Sequence, residues 1–234
     1  MCQLWNVPST PAQLPEATTI LDSMGRRARV FEADGIYHLV SRGSNRQALF
    51  RYDGDRIAFL DRMAKVTDRY GLLWIAYCLM GNHYHAIVQT PGGRLSDAMR
   101  DLHGGFSRLL ASVYGSDAHL FKNRFLAEQI DTPEYFATVM RYVHLNPVRA
   151  GLCGHPADWP WSSHRATVGM DPVPSFLAPE VFFRIEALQP DAARSDYAAF
   201  VEAEIANAVS DTALRAEATT AVATARHDRV ESAA

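Results

Sequence analysis

Two β-prone runs joined by Gly81-Asn82 restrict the fold of this chain more than any other feature. Leu72 to Met80 is apolar and rich in strand-forming residues, and His83 to Thr90 resumes that character two residues later. A Gly-Asn pair between such runs is a hairpin turn, so the chain must contain an antiparallel sheet. Ile36 to Val40 is a short β-rich run that stops at Arg42-Gly43, and Phe125 to Ile130 reads as a fourth strand. Between the first two runs, Asp55 to Tyr70 places Ile57, Phe59, Leu60, Met63 and Val66 at helical spacing before Gly71. Pro91-Gly92-Gly93 breaks the chain, and Ser96 predicts the cap of a helix reaching about Tyr114. Thr132-Pro133-Glu134 starts a further helix, with Thr as cap and Pro at the first helical position; Asn146-Pro147 ends or interrupts it. The order β-α-β-β-α-β plus a helix predicts an α+β, ferredoxin-like antiparallel sheet with helices packed on one face. The other face is then free for a substrate.

Composition excludes several classes. With 48% hydrophobic and 21% charged residues, the 234-residue chain is not a wholly disordered one. No window approaches the roughly 18 uninterrupted apolar residues of a membrane helix, so no membrane partner is expected. Residues 1–23 hold Pro8, Pro11 and Pro15 and lack the basic start and apolar centre of a secretory signal, which predicts a loose extension. Met24 directly precedes Gly25-Arg26-Arg27-Ala28-Arg29 and is a second candidate for the translation start. Cys2, Cys78 and Cys153 are odd in number and far apart, which speaks against a disulfide framework or a thiolate zinc site and for the cytoplasm. Residues 24–170 carry 18 Lys+Arg against 13 Asp+Glu, whereas 171–234 carry 5 against 11. A basic middle beside an acidic end suits a polyanion-binding core, although an ordinary solvated surface also tolerates such a surplus. Residues 171–205, with Phe182, Phe183, Tyr197 and Phe200, are expected to dock as a helical extension, and the Ala-rich 206–234 to be frayed or disordered.

His83-Tyr84-His85 falls on a strand, where side chains alternate, so both histidines share a face with Tyr84 opposite. Two imidazoles so placed can bind one divalent ion; they can equally be polar residues of a solvated sheet face. Tyr142 and Asn146 are four apart, hence on one helix face. A phenol is a competent nucleophile toward a phosphodiester when a metal polarises the phosphate, and a neutral amide oxygen can complete a Mg²⁺ or Mn²⁺ shell. Core packing for Tyr142 and a helix stop at Asn146 are the plainer alternatives. Tyr135, two turns before Tyr142, is its one plausible rival. Arg26, Arg27 and Arg29 form a basic arm, and Arg42, Arg46 and Arg51 follow the first strand; such residues neutralise phosphates.

Taken together, these stretches resemble a known family. Tyr37-His38-Leu39-Val40-Ser41-Arg42-Gly43, Met80-Gly81-Asn82-His83-Tyr84-His85, Lys122-Asn123-Arg124-Phe125, Arg141-Tyr142-Val143-His144-Leu145-Asn146-Pro147 and Trp159-Pro160-Trp161-Ser162-Ser163 are similar to the REP-associated tyrosine transposases. Those belong to the His-hydrophobic-His (HUH) single-strand endonucleases, and the resemblance spans residues 24–170. It implies a divalent metal, Mg or Mn, on His83, His85 and Asn146, with Tyr142 as the catalytic tyrosine. It implies single-stranded DNA with a REP-like hairpin as partner; Arg26, Arg27, Arg29, Arg42 and Arg46, with Arg124 inside a family-like motif, are the candidates to contact it, against the plainer reading of a solvated basic surface. A monomer is expected rather than a homodimer. A hairpin DNA- or RNA-binding protein without catalysis is the alternative on the same fold. Three positions depart from the family pattern: Gly81 replaces a usual Pro, His144 a common Glu and Phe121 a common Trp.

Overall fold

The computed structural model describes residues 29–115, 119–185 and 192–206. Four strands, β1 (Gly35–Arg42), β2 (Leu73–Leu79), β3 (His83–Thr90) and β4 (Leu126–Gln129), form one sheet in the order β2-β3-β1-β4. Every neighbouring pair is antiparallel, which is the ferredoxin-like arrangement expected. The helices are α1 (Asp53–Tyr70), α2 (Leu95–Tyr114), α3 (Pro133–Arg149), the short α4 (His164–Thr167) and α5 (Glu180–Ile185), and a helical stretch α6 over 192–206.

Alternation along the strands sends Tyr37 and Leu39 of β1, with Tyr84, Ala86 and Val88 of β3, to a first face. There they pack with Phe59, Met63 and Val66 of α1 and Leu102 and Phe106 of α2. In β2 the alternation is broken by a bulge: Trp74 pairs with Val88 and Ala76 with Ile87, so Ile75 is the additional residue. Trp74 therefore faces α1 and α2, Ile75 and Ala76 both face the other way, and Tyr77 returns to the first face.

The two crossover helices lie on one face as the element order predicts, but the second face is not open along its length. Ile75, Ala76, Cys78, Met80 and Ile87 make it apolar there, and such a surface must be buried. Phe136, Val139, Met140 and Val143 of α3 cover it, backed by Phe182 and Phe183 of α5 and Tyr197, Phe200 and Val201 of α6. What remains for chemistry is the part of this face on β1 and β3 where the side chains turn polar.

Two local expectations also change. Arg94, not Ser96, occupies the position before α2, and the Ser96 hydroxyl donates instead to the Arg29 carbonyl at 3.4 Å. Asn146-Pro147 does not stop α3, which runs to Arg149 and ends at Gly151 in the left-handed region (φ 67°). A proline this close to a helix end forfeits one hydrogen bond, and the final turn still closes through the Ala150 N–H on the Asn146 carbonyl. At the start of α3 the Thr132 hydroxyl accepts from the Tyr135 N–H, as its sequence predicts. Cys78 is buried and Cys153 half-buried, and both are free thiols. Among the described residues no helix is long and apolar enough to cross a membrane. Residues 1–23, Arg26, Arg27 and the tail beyond Ala206 lie outside the described residues.

Candidate active site

The register of β1 against β3 sets Arg42 opposite His83, Val40 opposite His85 and His38 opposite Ile87. His38 and His85 are thus diagonal neighbours on the second face, a spacing that ring side chains bridge. Their rings stack at 5.3 Å between centroids, and His38 Nε2 and His85 Nδ1 share a hydrogen bond of 3.1 Å. The His83 ring stands edge-on to His85 at 5.2 Å. His83 Nδ1 donates to Asn82 Oδ1 at 2.7 Å, while Asn82 Nδ2 donates to the Arg46 carbonyl.

Burial sets the charge state of these rings. Loss of hydration pushes His83 down to about 4, with the Arg42 cation adding to the effect. His38 falls to about 4 by burial. His85 is held well below the ordinary histidine value, first by burial and then by His38, His83 and Arg42. All three imidazoles are therefore neutral at pH 7, the form that offers a lone pair to a cation.

α3 brings Tyr142 onto this cluster. Its ring stands edge-on to His85 at 5.4 Å and to His38 at 6.0 Å. The Arg149 guanidinium lies 5.2 Å from the centre of the same ring and is held by Glu204 of α6 at 3.1 Å. Glu204 also pairs with Arg141, whose guanidinium sits 3.9 Å over Phe200, so α6 braces the helix that carries Tyr142. Asn146 Nδ2 donates to the Tyr142 carbonyl at 2.9 Å, which leaves its amide oxygen for another partner. Among the described residues no group of three or more His, Cys, Asp or Glu is arranged to hold a metal ion. By donor type, the neutral imidazoles of His83 and His85 and the Asn146 amide oxygen could hold a divalent ion.

The other tyrosines and histidines fall elsewhere. The Tyr135 phenol sits beside Glu128 and is pushed up by burial and that carboxylate. Tyr84 faces α1 and α2, its hydroxyl 2.7 Å from His103 Nε2. His144 uses both nitrogens, Nδ1 with the Tyr197 hydroxyl at 2.7 Å and Nε2 with the Ser163 hydroxyl at 2.8 Å, and belongs to the core.

Three loops gather beside the histidines. The Gly43 N–H donates to the Asn82 carbonyl, the Ser44 N–H to the Leu120 carbonyl and the Lys122 N–H to the Arg42 carbonyl. Arg42, Arg46, Lys122 and Arg124 are exposed along this rim. Asn45 and Arg46 both adopt left-handed backbone (φ 50° and 59°), a cost of about 1–3 kcal/mol each that the surrounding loops must offset. Arg29 is tied into the fold: its guanidinium donates to the Phe125 carbonyl and lies over that ring at 5.3 Å. Sequence reasoning did not join His38 to His85 or Arg149 to Tyr142. The first pairing follows only from the β1–β3 register, and the second only once α3 is known to continue past Pro147.

The model of the IS200-like transposases matches residues 32–146, the stretch that holds all four strands and the cluster from His38 to Asn146. No curated protein sequence matches the chain. A solved REP-associated tyrosine transposase bound to a REP hairpin is similar in fold at 20% identity and a TM-score of 0.54, over 66% of this chain and 92% of that one. A Deinococcus radiodurans protein described as a transposase aligns at 19% identity and a TM-score of 0.37, over 51% of this chain and 95% of its own. Across the strands, the histidine cluster and α3 as far as Asn146, residues 32–146 of this chain match the IS200-like transposase family.

Proposed function

We propose that this transposase is a metal-dependent endonuclease and transesterase of the HUH type, acting on single-stranded DNA beside a REP-like hairpin. The observation that carries the reading is the Tyr142 ring set edge-on against two neutral histidines, His85 at 5.4 Å and His38 at 6.0 Å. In this reading Tyr142 Oη bonds to the scissile phosphorus and the 3′ oxygen leaves with a proton. The products are a 5′-phosphotyrosine link and a free 3′-hydroxyl. Because the link conserves the phosphodiester energy, attack by a 3′-hydroxyl can rejoin strands without ATP. His83, His85 and Asn146 would hold a divalent ion, Mg or Mn, which would polarise the phosphate and offset its added charge. Arg42, Arg46 and Arg124, with Arg26 and Arg27, neutralise phosphates along the strand, whereas Arg29 is held by Phe125.

The fold likeness to a protein bound to a REP hairpin supports hairpin DNA as the partner. In this reading residues 24–170 are the catalytic domain and 171–205 its C-terminal extension. Tyr142 already lies against histidines of its own chain, which supports a monomer.

A labelled hairpin with single-stranded flanks, incubated with Mn²⁺, separates this reading from hairpin binding without chemistry. A covalent adduct surviving a denaturing gel is expected. Retardation on a native gel with no adduct favours the binder.

A further inference from the structure

His83 and His85 each have one ring nitrogen committed to a neighbour. For His83 the geometry fixes the proton. Asn82 Nδ2 donates to the Arg46 carbonyl, so the amide oxygen faces His83 Nδ1 at 2.7 Å, and an oxygen can only accept. His83 Nδ1 therefore carries hydrogen and Nε2 carries the lone pair. For His85 the 3.1 Å bond to His38 permits two arrangements. Either His85 Nδ1–H donates to His38 Nε2, leaving a lone pair on His85 Nε2, or His38 donates and His85 Nε2 keeps a hydrogen. Only the first lets His85 bind a cation through Nε2. His38 is nearly wholly buried and stacked on the His85 ring, so it holds that ring in plane as well as in proton state.

We infer that His38 and Asn82 are a positioning pair: each accepts the Nδ1–H of one histidine and so turns both Nε2 lone pairs to the site. This rests on the proposed metal reading. Partners of this kind orient metal-binding histidines, and their loss typically costs 10–100-fold in metal affinity. His38 also meets the Tyr142 ring edge-on at 6.0 Å, so the test reads metal binding and proton position, quantities that pass through His85 and His83 rather than through the nucleophile.

The test begins with metal-free, ¹⁵N-labelled protein at neutral pH and needs no catalysis. Long-range proton–nitrogen spectra report which nitrogen of each histidine carries hydrogen, and the Nδ1–H form is expected for both His83 and His85. Finding the Nε2–H form at His85 overturns the inference for His38. Calorimetric titration with Mn²⁺ alone follows. His38→Ala and Asn82→Ala should each weaken Mn²⁺ binding 10–100-fold, and His38→Gln, whose amide oxygen can still accept, should restore most of the loss. Wild-type Mn²⁺ affinity in His38→Ala, with binding lost in His85→Ala, overturns the positioning role and leaves the metal reading standing. Wild-type affinity in His83→Ala and His85→Ala alike removes the metal reading instead. If His38→Ala fails to fold by circular dichroism, the wild-type spectrum and His38→Gln still decide.

Discussion

Tyr142 is one of nine tyrosines, and what distinguishes it is its place on α3 rather than any property of the phenol alone. Tyr142→Phe removes one oxygen and keeps the ring that contacts His38 and His85. It should leave the melting temperature within about 2 °C, no more than the shift of a 1 kcal/mol change in a chain of this size, and reduce adduct formation below detection. Tyr135→Phe should form adduct at close to the parent rate, since its phenol lies beside Glu128 two turns away. For the histidines, substitution of His83 or His85 by Ala should abolish cleavage while hairpin affinity changes no more than a few-fold, because phosphate contacts dominate binding. Cleavage at the parent rate in His83→Ala would remove that residue from the site. Filter binding and single-turnover cleavage on one hairpin measure both quantities together.

Among the elements, those set by local chemistry were legible and those set by packing were not. The Gly81-Asn82 hairpin appears where the turn dipeptide places it, with β3 at His83–Thr90 and the histidines on one face. α1 ends at Gly71 in the left-handed conformation that the glycine allows. The bulge at Ile75 left no mark in an apolar run, since neighbouring residues of similar hydrophobicity hide a change of phase. Nor could proline spacing reveal that α3 continues to Arg149 and carries that cation back to Tyr142. The covered second face was concealed for a different reason: α3 covers it, backed by α5 and α6, and all three begin more than 40 residues beyond β3 in the chain. Gly43, in the turn after β1, offers a test at this scale. A Cβ there meets the Gln47 carbonyl oxygen, a backbone atom that cannot yield without moving the 43–47 turn. Gly43→Ala should therefore destabilise by about 1–3 kcal/mol and slow cleavage, because the same turn displays Arg46 and bonds to Asn82. Chemical denaturation checks the first claim, and parent-like stability would contradict it.

Across the whole molecule, a sheet carries one packed layer on α1 and α2 and a second layer completed by α3, α5 and α6. A chain ended after Ala206 should keep its fold and activity, whereas one ended after Ile185 loses Tyr197, Phe200 and Val201 from the core. Each large buried side chain is worth roughly 2–5 kcal/mol against a total stability of about 5–15, so the shorter chain should be unfolded or aggregated by circular dichroism and light scattering. The buried histidines add a pH dependence. Burial lowers His103 to about 3, His164 to about 4 and His144 well below 6.5. The unfolded chain takes up protons at these groups from about pH 6.5 downward while the folded chain does not. The histidine contribution should thus be constant above pH 7 and fall from 6.5 toward 4; a flat stability profile between 7 and 5 would contradict the burial of neutral rings. The central claim, that Tyr142 becomes covalently joined to DNA, is tested most directly by digesting the adduct formed with Mn²⁺ and sequencing the nucleotide-bearing peptide by mass spectrometry. The account predicts the DNA phosphate on Tyr142. A phosphate on Tyr135 or another residue, or no linked peptide from a hairpin shown to be bound and cut, would contradict it.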